Sequence, residues 1–587
     1  LKTPSTVGEA LLQAAERWGS RPAHHVRAGE RWQPITWAEY GRDVRRAARA
    51  FLAAGLKKDE GVVIRGANRP EWYVAALGAA LAGARPAGIY ATSTREQTRY
   101  VAAHCDARVA VLVSARDLDA VAPGDDLPQL GCRVLLDGAA DGAMSWAAFL
   151  DSGDAVPEAA LEARLAEQRE DDVAALIYTS GTTGQPKAVM ITHANALWVG
   201  REVARHARLG TDDRLLSYLP LSHIAEQANS LYAPLTSGAQ VHFVEAMEAL
   251  PEALRQVRPT MFLGVPRVYE KMQAAMQAAG ASAPALRRKL AAWARSVGAA
   301  HGPAIACGAP APFVYRLADR LVFSRVRERL GFDQVKLMAV SAAPMPKETL
   351  EYFMSLGVLI SEIYGASEVS GPATVSMPPN YRLGTVGLPI VGTEVKLADD
   401  GEILVRGPNV FRGYLKDEAA TREVLDAEGW YHTGDVGTLD AEGYLSVTDR
   451  KKELLITSGG KNVAPAPIEA RLKQIPGVGQ AVAIGDRRPY LAALLSLDPQ
   501  RLPSALQAAG CPGLDAAQAA ASPQFRAFVE RHVEKLNGEL ARFESVRRFA
   551  LLPAEFTVEG GELTPTLKLR RKPIALKYAA EIEALYP

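Results

Sequence analysis

Apolar positions recur at helical spacing over residues 7–17 and again over 37–55, where Thr36 stands as an N-cap before Trp37-Ala38-Glu39. Between and after such stretches come short apolar runs at 61–65, 109–113, 133–136, 240–244, 260–263 and 334–340. Strand-like runs that alternate with helices predict parallel sheets covered by helices. The stretch 72–84 is rich in Ala and Gly and ends at Arg85-Pro86. It is too short to span a bilayer and reads as a buried core helix.

After about residue 384 the pattern changes. Short β-like segments at 394–397, 402–406 and 443–447, punctuated by Gly and Asp, predict a small β-rich subdomain. The polar run Asp449-Arg450-Lys451-Lys452 follows, and then a new alternation begins. A helix at 467–474, strands at 478–484 and 490–497, and a long helix at 523–541 form a separate α+β unit. The expected fold is therefore α/β. Its large N-terminal unit (1–449) has helix-covered sheets and a β-rich subdomain (384–449), and a smaller C-terminal unit (450–587) follows.

A chain of 587 residues is too long for one typical domain. Acidic and basic residues nearly cancel, leaving a formal charge of +1, which argues against a nucleic-acid partner. Cys105, Cys132, Cys307 and Cys511 lie far apart without a CxxC pair. That pattern fits a reducing cytoplasm better than a zinc site or disulfide framework. The opening Leu1-Lys2-Thr3-Pro4-Ser5-Thr6 lacks a secretory pattern, and without an initiating Met it reads as a trimmed start. Residues 275–330 carry Arg287, Arg288, Lys289, Arg295, Arg316, Arg320, Arg325, Arg327 and Arg329. A solvated helical face explains them, with a patch for peripheral contact at the inner membrane surface as the alternative.

The strongest local signal is Tyr178-Thr179-Ser180-Gly181-Thr182-Thr183-Gly184-Gln185-Pro186-Lys187, flanked by apolar runs at 173–177 and 188–191. Strand, loop, strand is the natural arrangement. Two glycines let backbone N–H groups turn inward around an anion, the hydroxyls add donors, and Lys187 adds positive charge. Such a cradle suits a polyphosphate leaving group. It is not a Walker A loop, which needs GxxxxGK[ST] leading into a helix.

With this loop the sequence resembles the adenylate-forming superfamily and, more narrowly, the bubblegum-like branch of the long-chain fatty acyl-CoA synthetases. The resemblance runs through Asn68-Arg69-Pro70-Glu71-Trp72, the segment 88–94, the phosphate loop and the segment 218–227. It continues through Gly264-Val265-Pro266-Arg267, Ser341-Ala342-Ala343-Pro344 and Tyr364-Gly365-Ala366-Ser367-Glu368. Beyond these come Trp430-Tyr431-His432-Thr433-Gly434-Asp435, the segment 449–454, Gly459-Gly460-Lys461-Asn462 and Leu563-Thr564-Pro565-Thr566-Leu567-Lys568. Three departures concern fine geometry. Ala188 and Ala342 stand where the family favours Gly, and Ser367 stands where it favours Thr.

The resemblance implies an AMP-forming acid–thiol ligase. Fatty acid and ATP would give acyl-AMP and pyrophosphate, and CoA would then take the acyl group. It implies that Glu368 and Thr179 hold Mg²⁺, that Ser180, Gly181, Thr182, Thr183, Gly184 and Lys187 hold phosphates, and that Thr182 joins the catalytic set. Tyr364 would stack on adenine, with Ala342, Ala343, Pro344, Gly365, Ala366 and Ser367 around the base. Asp435 would accept from the ribose diol, assisted by Arg450. Lys568 would bridge the converging carboxylate and phosphate oxygens. His223 would border the acyl site, against the rival role of a satisfied core histidine, and His193, placed in the strand after the loop, reads as structural. The family swings its C-terminal unit about the aspartate matching Asp449, which removes Lys568 and brings Gly459 and Gly460 to the thiol arm; Lys452 joins the expected cofactor-binding residues. Two alternatives stay open, a fatty acyl-AMP ligase that loads a carrier protein and a catalytically silent nucleotide- and lipid-binding protein. The sequence also leaves homodimerisation open.

Overall fold

The computed structural model describes residues 3–179, 185–458, 461–564 and 568–586. Its architecture is the expected α/β type. A seven-stranded sheet runs in the spatial order Met144–Ser145, Cys132–Leu135, Ala107–Leu112, Gly61–Arg65, Arg85–Ile89, Val173–Thr179, Lys187–Thr192. All neighbours are parallel except the last pair. Its central strands are almost wholly buried, as expected where helices cover both faces. The helix Pro70–Leu81 begins on a proline whose missing N–H costs nothing there, and every residue from Trp72 to Leu81 is buried. It packs so closely on the helix Trp37–Ala53 that a Cβ on Gly78 would lie 2.8 Å from that of Ala47. Thr36 caps the latter helix in a reciprocal box with Glu39.

A second sheet of five strands runs Met261–Gly264, Leu337–Val340, Ser361–Ala366, Gly371–Ser376, Leu388–Pro389, parallel over the first three and antiparallel after. A third joins Arg214–Ser217, Gln240–Phe243, Pro22–Ala28 and Arg31–Thr36. The β-rich stretch is an antiparallel four-stranded meander of Glu394–Leu397, Glu402–Arg406, Tyr431–Leu439 and Leu445–Arg450. Past the linker, Val478–Ile484, Leu491–Leu497 and Val546–Leu552 form a three-stranded sheet with its own apolar core, which includes Leu472, Leu495 and Phe525.

Element boundaries differ from the expected ones in places with local causes. His193 does not continue the strand. Thr192 accepts from Asn195 N while Asn195 Oδ1 accepts from Thr192 N, so a capping box starts the helix His193–His206 at once. His193 is buried and accepts from Val7 N through Nδ1, a structural role. The long C-terminal helix stops at Asn537, whose side-chain amide bonds both N and O of Val546 and turns the chain into the next strand. Among the described residues no helix is long and apolar enough to cross a membrane.

Candidate active site

The strands Val173–Thr179 and Lys187–Thr192 are antiparallel with Thr179 opposite Lys187, so the chain reverses where the phosphate loop was expected. Ser180, Gly181, Thr182, Thr183 and Gly184 lie outside the described residues, as do Gly459 and Gly460. Ala188 is fully buried in regular strand, where a methyl is tolerated. Lys187 Nζ stands 4.8 Å from the centroid of the Tyr414 ring. The Tyr414 hydroxyl donates to Glu368 Oε1 at 2.9 Å. The other Glu368 oxygen has no protein partner among the described residues. Thr179, Lys187, Tyr414 and Glu368 thus line one edge of the site.

The second sheet and the meander supply the rest of the site. Strand Ser361–Ala366 ends in a bulge at Tyr364/Gly365, after which a 3₁₀ turn carries the buried Ser367 and the half-buried Glu368. Only glycine fits at 365, since a Cβ there would lie 1.8 Å from Gly371 O. Asp435 and Arg450 are paired across the meander. The Asp435 carboxylate accepts from Tyr364 Oη at 2.8 Å on Oδ2 and from Arg450 Nε at 3.1 Å on Oδ1. Thr433 Oγ1 holds the Asp435 N–H at 3.1 Å. Burial and the neighbouring Asp435 charge push the Tyr364 phenol well above its ordinary pKa, so it stays a donor. Ala342 adopts φ +76°, the left-handed region a glycine would occupy without strain. Ala343 and Pro344 beside it are exposed.

Lys568 comes from the C-terminal unit. Thr564 and Lys568 brace a hairpin: Lys568 N donates to Thr564 Oγ1 at 3.0 Å, and Thr564 N to Lys568 O at 2.8 Å. Burial, then the Arg450 charge, lower the lysine to about 8, against the opposing pull of Asp435, Glu368 and Glu453. The side chain therefore lies within the electrostatic reach of the nucleotide-site carboxylates. His223 completes this neighbourhood. Its Nδ1 accepts from Ala225 N at 3.1 Å, which places the proton of the neutral ring on Nε2. Burial, then the Lys568 charge, lower it to about 4, so it is neutral near pH 7. A cavity of about 210 Å³ opens beside it, lined by Tyr218, Leu219, Pro220, His223, Ala225, Met247, Leu263, Gly264, Val265, Ser341 and Ala342. That lining is largely apolar, with an imidazole and a serine hydroxyl at hand.

Lys452 is exposed on the linker. Tyr414, Tyr431, Thr433 and Glu402 belong to the site's frame although the sequence did not single them out. Tyr431 is buried against Glu368 and Tyr414, and Glu402 accepts from Gly434 N at 2.8 Å and from Lys451 Nζ at 3.1 Å. The motif around Trp430 offered a signal for Tyr431 and Thr433. Nothing in the sequence near Tyr414 or Glu402 points to Glu368 or Gly434.

The family profile described as "AMP-binding enzyme" matches residues 11–415, and that described as "AMP-binding enzyme C-terminal domain" matches 452–587. The chain is 36% identical over 619 residues to the long-chain-fatty-acid–CoA ligase ACSBG2 of Xenopus laevis, covering 99% of this chain and 84% of that protein. It is 36% identical over 618 residues to human ACSBG1, a ligase of the same description, covering 99% and 85%. Among solved structures it resembles the adenylation and carrier didomain of a carboxylic acid reductase from Segniliparus rugosus in complex with AMP. The TM-score is 0.75 at 21% identity, over 100% of this chain and 82% of that one. It also resembles ATP-bound MatB from Rhodopseudomonas palustris, with TM-score 0.72 at 20% identity over 98% and 99%. At those identities the structures speak for the fold, whereas the profiles and full-length relatives settle the lineage: the chain belongs to the adenylate-forming superfamily of AMP-binding enzymes, on its bubblegum-like acyl-CoA synthetase branch.

Proposed function

We propose that this protein is a long-chain fatty acid–CoA ligase that makes an acyl-adenylate from fatty acid and ATP and then transfers the acyl group to CoA. The observation that carries the proposal is the meeting of four charged groups from two units beside an apolar cavity. Lys568 enters from the C-terminal unit toward Glu368, Asp435 and Arg450, with His223 and the cavity adjacent. A cation enclosed near the place where a carboxylate and a phosphate converge has most to offer when their negative charge gathers in the transition state.

In this reading Asp435 orients the ribose through the carboxylate that Tyr364 and Arg450 already hold in place. The loop 180–184, with Thr182, and Lys187 carry the phosphates. His223 presents Nε2–H toward the acyl carboxylate at the cavity mouth. Mg²⁺ would be held by Glu368 and Thr179 and would supply charge compensation for the departing pyrophosphate. The donor set suits it: one carboxylate whose second oxygen has no partner among the described residues and one hydroxyl, the remaining ligands coming from phosphate and water. The C-terminal unit, starting near Asp449, would swing after adenylate formation, removing Lys568 and bringing Gly459-Gly460 to the thiol arm. Asp449 is well placed as the pivot, since its carboxylate accepts from Arg450 N at 2.7 Å and Ala466 N at 3.1 Å, one on each side of the linker.

The relatives' names support a long acyl chain, and the exposed Leu286 and Phe313 beside Arg287, Arg288, Lys289 and Arg316 suit peripheral contact with an anionic membrane. Vesicle co-sedimentation unchanged by anionic lipid would remove that membrane element. The central proposal is tested by separating the two half-reactions in Lys568→Ala. Pyrophosphate release should be abolished while thioester formation from supplied acyl-AMP and CoA persists. Equal loss of both would refute the assigned role, and thioester formed only on a carrier protein would favour a carrier-loading ligase.

A further inference from the structure

We infer that Arg267 is a positioning residue that clasps the C-terminal unit in the arrangement that brings Lys568 to the site. Arg267 follows the strand Met261–Gly264 and is the second residue of the helix Pro266–Ala281. A helix N-terminus carries partial positive charge, so an arginine there is not stabilised by its own helix. Two of its three acidic partners belong to the C-terminal unit. Nη2 stands 2.6 Å from Glu555 Oε1 and 3.5 Å from Asp498 Oδ2, while Nη1 stands 3.7 Å from Glu270 Oε2 on its own helix.

The Asp498 carboxylate and the backbone beside Glu555 are both anchored within the C-terminal unit. Asp498 is buried, and its Oδ1 accepts from Gln500 N at 2.8 Å and Arg501 N at 3.3 Å, leaving Oδ2 for Arg267. Glu555 is followed by Phe556, whose N–H donates to Gln480 Oε1 at 2.7 Å and pins that segment to the C-terminal sheet. The same segment leads into the hairpin that carries Lys568. On the other side, Leu263, Gly264 and Val265, the residues just before Pro266, line the cavity. One guanidinium therefore ties the wall of the acyl cavity to the base of the Lys568 hairpin. The pairs are largely shielded from solvent, so they are screened less than surface ion pairs. In the swung arrangement required by the second half-reaction this clasp must open, so Arg267 contributes to the first step and not to the second. This inference rests on the two-step reading above.

Arg267→Glu sets a fourth carboxylate against Glu270, Asp498 and Glu555. The expected result is a drop in fatty-acid-dependent pyrophosphate formation of about tenfold or more, with thioester formation from supplied acyl-AMP and CoA changed less than about threefold. The double reversal Arg267→Glu/Glu555→Arg should recover much of the first rate, a rescue that a merely structural role would not give. Nitroxide labels, one in each unit, should show a narrow distance distribution in wild type that broadens in Arg267→Glu and narrows again in the double variant. Equal loss of both half-reactions, no rescue, or an unchanged distance distribution would each overturn the clasp. If wild-type protein forms no pyrophosphate, the ligase reading fails separately, and the distance distributions alone then decide the clasp.

Discussion

Alkaline pH should disable adenylate formation through Lys568 in the free enzyme before it affects the nucleotide-loaded one. Burial, then the Arg450 charge, bring this lysine from 10.5 to about 8 in the enclosed arrangement. That difference corresponds to about 3 kcal/mol by which the enclosed ammonium disfavours closure, relative to an arrangement that leaves it in water. The full cost applies below about pH 8, where both arrangements hold the proton. Between about 8 and 10.5 the closed form has shed a proton that the open form keeps, so rising pH favours closure while it strips the lysine of its charge. In the proposed reaction a bound triphosphate would add negative charge and restore the ammonium, so ATP would both close the site and activate it. The assay is pyrophosphate exchange dependent on fatty acid, followed across pH at limiting and at saturating ATP. The kcat/KM for ATP should fall above about pH 8, while kcat holds to higher pH. Lys568→Arg, whose guanidinium keeps its charge throughout, should lose the alkaline limb at a lower overall rate. A kcat/KM that stays flat to about pH 9.5, or the same limb in Lys568→Arg, would refute this reasoning.

Ala342→Gly should relieve the left-handed backbone at φ +76° and stabilise the protein by about 1 kcal/mol, read as a small rise in the melting midpoint. Tyr414→Phe removes the hydrogen bond to Glu368. It should slow adenylate formation by about threefold to tenfold and raise the magnesium concentration needed for half-maximal rate, with little change in thermal stability. Asp449→Pro removes the carboxylate that joins the two sides of the linker, and should spare pyrophosphate formation better than thioester formation in separate half-reaction assays.

What could be read from the sequence was what neighbouring residues decide. The buried helix read at 72–84 and found at Pro70–Leu81, the Thr36 cap, and the two strands that flank the phosphate segment all follow from local pattern. The helix starting at His193 was also legible, in the pair Thr192 and Asn195, but the apolar run before it drew the strand one residue too far. The remainder depends on chain segments distant in sequence. Tyr414 reaches Glu368 because its segment bridges Val189 beside the phosphate loop, and Arg267 meets Glu555 only when two units dock. Ala342 shows a third kind of limit. The sequence marks a glycine-favoured position, but only the backbone shows that its φ is positive.

The most direct test of the account is exchange of labelled pyrophosphate into ATP by the purified protein with Mg²⁺ and a panel of carboxylic acids of increasing chain length. The account predicts exchange that requires the acid, is strongest with long-chain fatty acids, and disappears in Lys568→Ala. Exchange with none of them, or exchange that survives in Lys568→Ala, would contradict it.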